Sequence, residues 1–252
     1  VRNHDGWQEV VEPIAAITAA PNKSDFGDIP NEDSLDIEFD DTNLFDPNRF
    51  AGLDRVDTGQ RATYGLRWTF VTDGGGTGSV FVGQSYQFNE DVEFATGSGL
   101  ENNFSDFVGS VQLTPIEDFD LLYRFRYDTD SLSAQRNEVL ASAGPDLLHL
   151  DLSYAFLSNE ADPNTDFGDR QEVAGKISSQ FTDYWSTFIA GRYDIESDRV
   201  LSYGGGVEYE DECFDIRLAI ERDEFQDQEH DPEWKVRFSV GLKNLGFTDE
   251  RL

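Results

Sequence analysis

Arg61–Val71 reads RATYGLRWTFV. In an extended chain Tyr64, Leu66, Trp68 and Phe70 share one side, and Gly65, Arg67 and Thr69 share the other. A glycine-rich turn, Asp73–Gly78, then returns the chain as SVFVGQSYQF. The same alternation recurs downstream. Leu121, Tyr123, Phe125 and Tyr127 oppose Leu122, Arg124, Arg126 and Asp128. Leu148, Leu150, Leu152, Tyr154 and Phe156 oppose His149, Asp151, Ser153 and Ala155. Phe214, Ile216, Leu218 and Ile220 oppose Asp215, Arg217, Ala219 and Glu221, and Val236, Phe238, Val240 and Leu242 oppose Lys235, Arg237, Ser239 and Gly241. With Trp7–Ala19, where Pro13 predicts an edge or a bulge, and the weakly patterned Ser133–Ala143, the chain holds about twelve strands.

The connections alternate in length. Tight turns are expected at Asp73–Gly78, Glu117–Asp118, Gly144–Asp146, Asp183–Tyr184 and Asp211–Glu212, with longer polar loops between them. Strands near the roughly 9–11 residues of a tilted membrane-crossing strand, joined by short turns at one rim and long loops at the other, describe an outer-membrane barrel. A soluble sandwich would place the charged face in water, whereas a barrel places it in the lumen. Aromatics near strand ends (Trp68, Tyr86, Tyr127, Tyr154, Trp185, Tyr209, Trp234) match interfacial girdles. The expectation is an all-β, antiparallel transmembrane β-barrel.

Composition narrows the function. The 252 residues carry 51 Asp+Glu against 19 Lys+Arg, a formal net charge of −32. Phosphate binding wants a basic footprint, so nucleic acid is excluded as a partner. Solubility or a halophilic origin gives similar acidity. Aromatics at 13% and recurring alternation argue against disorder. No apolar run is long enough for a membrane helix. Met is absent even at position 1, so the chain is expected to begin inside a longer precursor or after processing, with any export signal upstream.

Asn31–Val56, NEDSLDIEFDDTNLFDPNRFAGLDRV, breaks the rhythm. It is long and acidic, and its aromatics Phe39, Phe45 and Phe50 have no strand to join, which marks a functional loop. Its motifs are PNEDS (Pro30–Ser34), EFDDTNLF (Glu38–Phe45) and RFAGLDRV (Arg49–Val56), followed by TYGLRW (Thr63–Trp68). Tyr209, Cys213, IRLAIERD (Ile216–Asp223) and FSVGL (Phe238–Leu242) extend the pattern to the end. On these residues the chain resembles, over essentially its whole length, the C-terminal barrel region of the LptD, or organic solvent tolerance, family of lipopolysaccharide-assembly proteins.

The resemblance implies insertion of lipopolysaccharide into the outer leaflet of a Gram-negative outer membrane, without catalysis or cofactor. Partners would be an LptE-like lipoprotein plug, a periplasmic transport bridge and membrane lipid. Residues 1–252 would be one barrel region, with the first barrel strand and the periplasmic domain outside it. The closing strand, Lys235, Val236, Arg237, Phe238, Ser239, Val240, Gly241 and Leu242, would form one side of a lateral gate, and the fragment would show two open edges. Cys213, which has no second cysteine to pair with, would bond to the missing N-terminal part. The loop motif, Asn43, Leu44, Phe45, Arg49, Phe50, Gly52, Asp54 and Arg55, would cover the outer mouth. Lumen cations Arg67, Arg124, Arg126 and Arg217 would guide the anionic head group.

Other motifs carry less. GGGTG at Gly74–Gly78 is followed by no helix and reads as a turn, not a phosphate loop. DPNTDFGD at Asp162–Asp169 has Phe167 where a calcium loop needs glycine, and reads as a solvated loop. His149 with Asp151 reads as a lumen-lining pair, since no serine elbow or paired carboxylates accompany it. A porin, a membrane hydrolase and an acidic soluble β-protein remain as rivals.

Overall fold

The computed structural model describes residues 1–21, 39–50, 52, 54–88, 94, 97–158, 169–224 and 232–243. Among them are thirteen strands and no helix: β1 (Arg2–His4), β2 (Trp7–Ala19), β3 (Gln60–Thr72), β4 (Thr77–Gln87), β5 (Phe107–Thr114), β6 (Phe119–Tyr127), β7 (Ala134–Ala143), β8 (His149–Leu157), β9 (Arg170–Gln180), β10 (Trp185–Asp194), β11 (Arg199–Glu210), β12 (Phe214–Asp223) and β13 (Glu233–Leu242). The strand beyond the expected twelve is β1, too short to show a pattern; it turns through Gly6 onto Trp7. The chain divides into two compact units, Val1–Ala141 with Tyr154–Gln171, and Ser142–Ser153 with Glu172–Leu252. In each, strands pair antiparallel in chain order, a meander.

The expected alternation of connections holds at 73–76, 88–106, 115–118 and 158–169 but not throughout: 195–198 is as short as the tight turns, and 128–133 is scarcely longer than 144–148. At the turn after β7, Gly144 takes φ 100°, and a Cβ there would lie 2.3 Å from the Leu148 carbonyl oxygen. Pro13 pairs with Leu66 in an unbroken β2–β3 ladder. It lies beyond the reach of β1, on a stretch of β2 with one ladder among the described residues, so its missing N–H breaks nothing.

The register puts like side chains side by side. In the first unit Tyr64, Leu66, Trp68 and Phe70 stand beside Gln84, Val82, Val80 and Gly78, and Val111 and Leu113 stand beside Tyr123 and Leu121. In the second, Val207, Leu218 and Phe238 form one row and Gly205, Ile220 and Val236 another. These rows are left bare: Ile189, Val236 and Phe238 are 61%, 68% and 68% exposed, and Leu148 and Leu152 are exposed too. Apolar side chains at this density need a cover other than water.

Buried apolar residues lie on the opposite face of the first unit. Phe39, Leu44, Phe81, Leu100 and Val108 form the cluster, and two of them, Phe39 and Leu44, belong to the loop between β2 and β3. Gly65 and Gly83 face each other across β3 and β4 and open the space that Leu44 and the Phe81 ring occupy. A Cβ on Gly83 would come within 2.4 Å of Leu44 Cδ2. Gly83→Val is therefore expected to push Leu44 out, at roughly the 1–3 kcal/mol that overpacking costs. Amide hydrogen exchange through residues 39–45 should rise about tenfold to a hundredfold, and unchanged protection would count against this seat.

Candidate functional site

The loop residues 39–58 are built locally and then fastened to the wall. The Asp40 carboxylate accepts from the Thr42 amide (2.7 Å) and hydroxyl (2.6 Å), and Asn43 Oδ1 accepts from the Asp40 amide (3.0 Å). This Asx turn brings Phe39 and Leu44 to the same side. Asp41 projects from it, its Oδ2 accepting from the Ser110 hydroxyl (2.7 Å) and its Oδ1 lying 3.5 Å from Arg124 Nε. Phe45 tilts against Phe81 at 6.3 Å.

The return leg is pinned by buried charge. Arg49 Nε and Arg61 Nη1 share one oxygen of Asp57, at 2.6 and 2.9 Å. Arg61 also donates to the carbonyls of Asp46 (2.6 Å) and Pro47 (3.0 Å). Asn48 Oδ1 accepts from the Asp57 amide, and its Nδ2 donates to the Arg55 carbonyl. Phe50 stacks on Phe94 at 5.0 Å with Arg49 over the same ring, while Gly52 and Asp54 lie half-buried in the return. All three charged groups of the triad are at least 95% buried. Asp57→Asn would leave two enclosed guanidiniums without a counter-charge, at about 3 kcal/mol or more. Exchange protection across 49–61 should collapse in that variant; protection that survives would remove the triad as the anchor.

A second loop, between β4 and β5, is held by Arg126, whose guanidinium donates to the carbonyls of Ser98 and Gly97 and lies 3.7 Å from Asp106. Burial pushes the Asp106 carboxyl up to about 6; Arg126 opposes this, and the carboxylates of Glu101 and Asp128 add to it. Between about pH 4 and pH 6 the folded state then keeps a proton that the unfolded chain has lost. Stability from this group falls as pH rises through that window and is flat above it. Residues 97–106 should be better protected at pH 5 than at pH 7.5, with Asp106→Asn erasing the difference; an equal profile in the native protein would contradict it.

The loop motif was expected to cover the outer mouth. Its described part reaches Phe81, six residue steps from the end of β4, roughly 20 Å along the strand. The reason is apolar: Phe39 and Leu44 find their pocket at mid-strand. PNEDS, His230 and residues 162–168 of the calcium-like loop lie outside the described residues.

The cations expected to line a lumen are engaged rather than bare. Arg124 and Arg126 meet loop acids, and Arg67 lies over the Phe81 ring at 5.4 Å. In the second unit Arg217 pairs with Glu208 at 2.9 Å and covers Phe188 at 4.8 Å. Lys176 approaches the same ring at 5.8 Å. Arg192 forks onto Glu172, Arg237 meets Glu221 at 3.4 Å, and Lys235 meets Asp223 at 2.8 Å. Strands β10 to β13 line a groove of about 770 Å³ that includes Arg237 and Ser239 of β13. Cys213 is an exposed free thiol in the turn before β12. His149 Nδ1–H donates to the Gly144 carbonyl (2.6 Å) and its Nε2 lies 3.3 Å from Asp151, which ties down a turn. Among the described residues no three His, Cys, Asp or Glu side chains gather as metal ligands.

Comparison with known proteins fits this arrangement. The family model "LptD: LPS transport system D" matches residues 2–167. The chain is 28% identical to the LPS-assembly protein LptD of Nitrosococcus oceani, covering 97% of this chain and 33% of the relative. It is 23% identical to that of Pseudomonas syringae pv. tomato (95% and 30%) and 24% identical to that of Marinobacter nauticus (95% and 30%). The chain thus spans about a third of the length of the curated relatives it matches.

Proposed function

The chain belongs to the LptD family, and from that membership we propose that it is barrel wall of an outer-membrane protein that inserts lipopolysaccharide into the outer leaflet. The sorting of side chains carries the reading. One face of the sheet is apolar and bare in both units, and the other carries the paired charges, with the inserted loop covering Phe81 and Val108 on β4 and β5, as hydrocarbon outside and a largely polar interior require. Aromatics bound the apolar face. In the first unit Trp68 and Phe70 lie together near one end, and Tyr86 with Phe104 near the other. In the second, Trp185 and Tyr209 occupy one end, and Tyr203 and Trp234 lie toward the other. Trp234 to Leu242 is eight residue steps, about 27 Å of strand.

Within this reading β13 is one side of the lateral gate. Lys235 to Leu242 pair with β12 throughout, and among the described residues their other edge carries no ladder. That edge would meet the first strand of the whole barrel. Cys213 would bond to the N-terminal part, an LptE-like lipoprotein would plug the lumen, and a periplasmic bridge would deliver the lipid. A diffusion porin is the weaker reading, because the loop fills the inner face of β3–β6 with buried side chains.

Expression of the full-length protein in a Gram-negative cell depleted of its own exporter tests the proposal. Whole-cell labelling should show lipopolysaccharide restored to the surface, and planar bilayers with the purified protein should show little small-solute conductance. A protein that folds in the outer membrane but conducts freely and restores no surface lipopolysaccharide would be a porin.

A further inference from the structure

The two parts of the inserted loop are fastened in different ways. The return leg has the buried Arg49–Asp57–Arg61 triad and two backbone carbonyls on Arg61. The tip, Phe39–Phe45, meets the polar wall through Asp41: one hydroxyl bond from Ser110 at 2.7 Å and an approach to Arg124 at 3.5 Å. Asp41 Oδ1 and Arg124 Nε are enclosed, yet among the described residues neither has a hydrogen-bond partner. Their attraction is real but the geometry is poor, and enclosed polar atoms left in that state are costly. Beside them Phe39 and Leu44 fill an apolar pocket with Phe81 and Val108.

Seat and tip are complementary in kind. The wall offers a guanidinium and a hydroxyl next to an apolar cavity, and the tip supplies a carboxylate next to two apolar side chains. We propose that this seat is a binding site for an anionic amphipath, and that the loop tip occupies it as an internal stand-in which the ligand displaces. A phosphate would take the place of the Asp41 carboxylate on Arg124 and Ser110, and acyl chain would replace Phe39 and Leu44. The anchored return leg lets the tip leave without unfolding the loop. The site follows from the geometry; its assignment to the exported lipid rests on the transport reading above.

Two sources share this chemistry, the bis-phosphorylated lipid A of lipopolysaccharide and phosphatidylglycerol. Each is titrated as a radiolabelled probe against the full-length protein in neutral detergent. Asp41→Asn removes the competing carboxylate and should tighten binding about five- to tenfold; Arg124→Gln removes the cation and should weaken it by a similar factor. A purely structural ion pair would move both variants in the same direction, and that result overturns the proposal.

A reducible lock gives a second reading within one molecule. A Cβ on Gly83 lies 2.4 Å from Leu44 Cδ2, so Leu44→Cys with Gly83→Cys brings two thiols within reach of a disulfide. The oxidised lock should abolish binding and a reductant should restore it, with the unsubstituted protein run under both conditions to account for Cys213. Binding unaffected by the lock also overturns the proposal. If the variants leave lipid A binding unchanged while surface lipopolysaccharide is still restored, the seat fails and the transport reading stands. If Asp41→Asn gains phosphatidylglycerol alone and no lipopolysaccharide reaches the surface, the seat stands and the transport reading fails.

Discussion

A strand that faces hydrocarbon has no water for an unpaired peptide group, so its N–H and C=O groups must be satisfied by neighbouring strands. That constraint orders the rest of this structure. The β2–β3 ladder runs without a slip from Trp7 and Thr72 to Ala19 and Gln60, and β12–β13 runs from Phe214 and Leu242 to Asp223 and Glu233. The β10–β11 ladder shifts at Arg192 and Tyr193, near its end. Continuous register is what makes alternation useful. One residue of slip in β12 would carry Arg217 and Glu221 into the apolar row and bring Leu218 and Ile220 inward.

Once the faces are sorted, the inner one has to hold charge away from bulk water, and the two units do so differently. In the second, partners come from neighbouring strands: Arg217 with Glu208, Arg237 with Glu221, Lys235 with Asp223. These pairs are partly exposed, and each contributes little on its own; their effect is to keep the wall nearly neutral in pattern. In the first unit the partners come from loops. Arg124 takes Asp41, Arg126 takes Asp106 and two carbonyls, and Arg61 takes Asp57. Here the pairs are mostly enclosed, and removing one member strands the other. Charge that lines a wall in one unit fastens a loop in the other.

This difference marks the limit of what the sequence shows. Alternation is a local property, so Tyr64 to Phe70 and Phe214 to Ile220 could be assigned to faces directly. Ser133–Ala143 was faint because Arg136, Asn137 and Glu138 follow one another, and β1 was too short to have a period. The loop could be recognised as exceptional from its length, acidity and aromatics. Its seat could not be. Asp41 and Ser110 are 69 residues apart, and the pocket for Leu44 depends on Gly83 and Gly65 meeting across a ladder. The sequence shows that Arg124 points inward; it does not show that a carboxylate from another part of the chain is already there.

The inserted loop also bears on what kind of conduit this wall can form. A permanently open channel gains nothing from burying Phe39 and Leu44 completely at mid-strand, because every such contact narrows the path. A wall that passes a large anionic lipid needs the opposite properties at different times: sealed at rest, and able to present cation and apolar surface together during passage. A single rigid insertion cannot supply both. A loop with a charged, buried hinge and a tip held by one good hydrogen bond and apolar packing can, since apolar contacts exchange for acyl chain with little change in chemistry, whereas the Asp57 triad has no substitute in a lipid. Under the proposed transport reading, the division of fastening within residues 39–61 is the feature that would separate a transporter wall from a plugged pore.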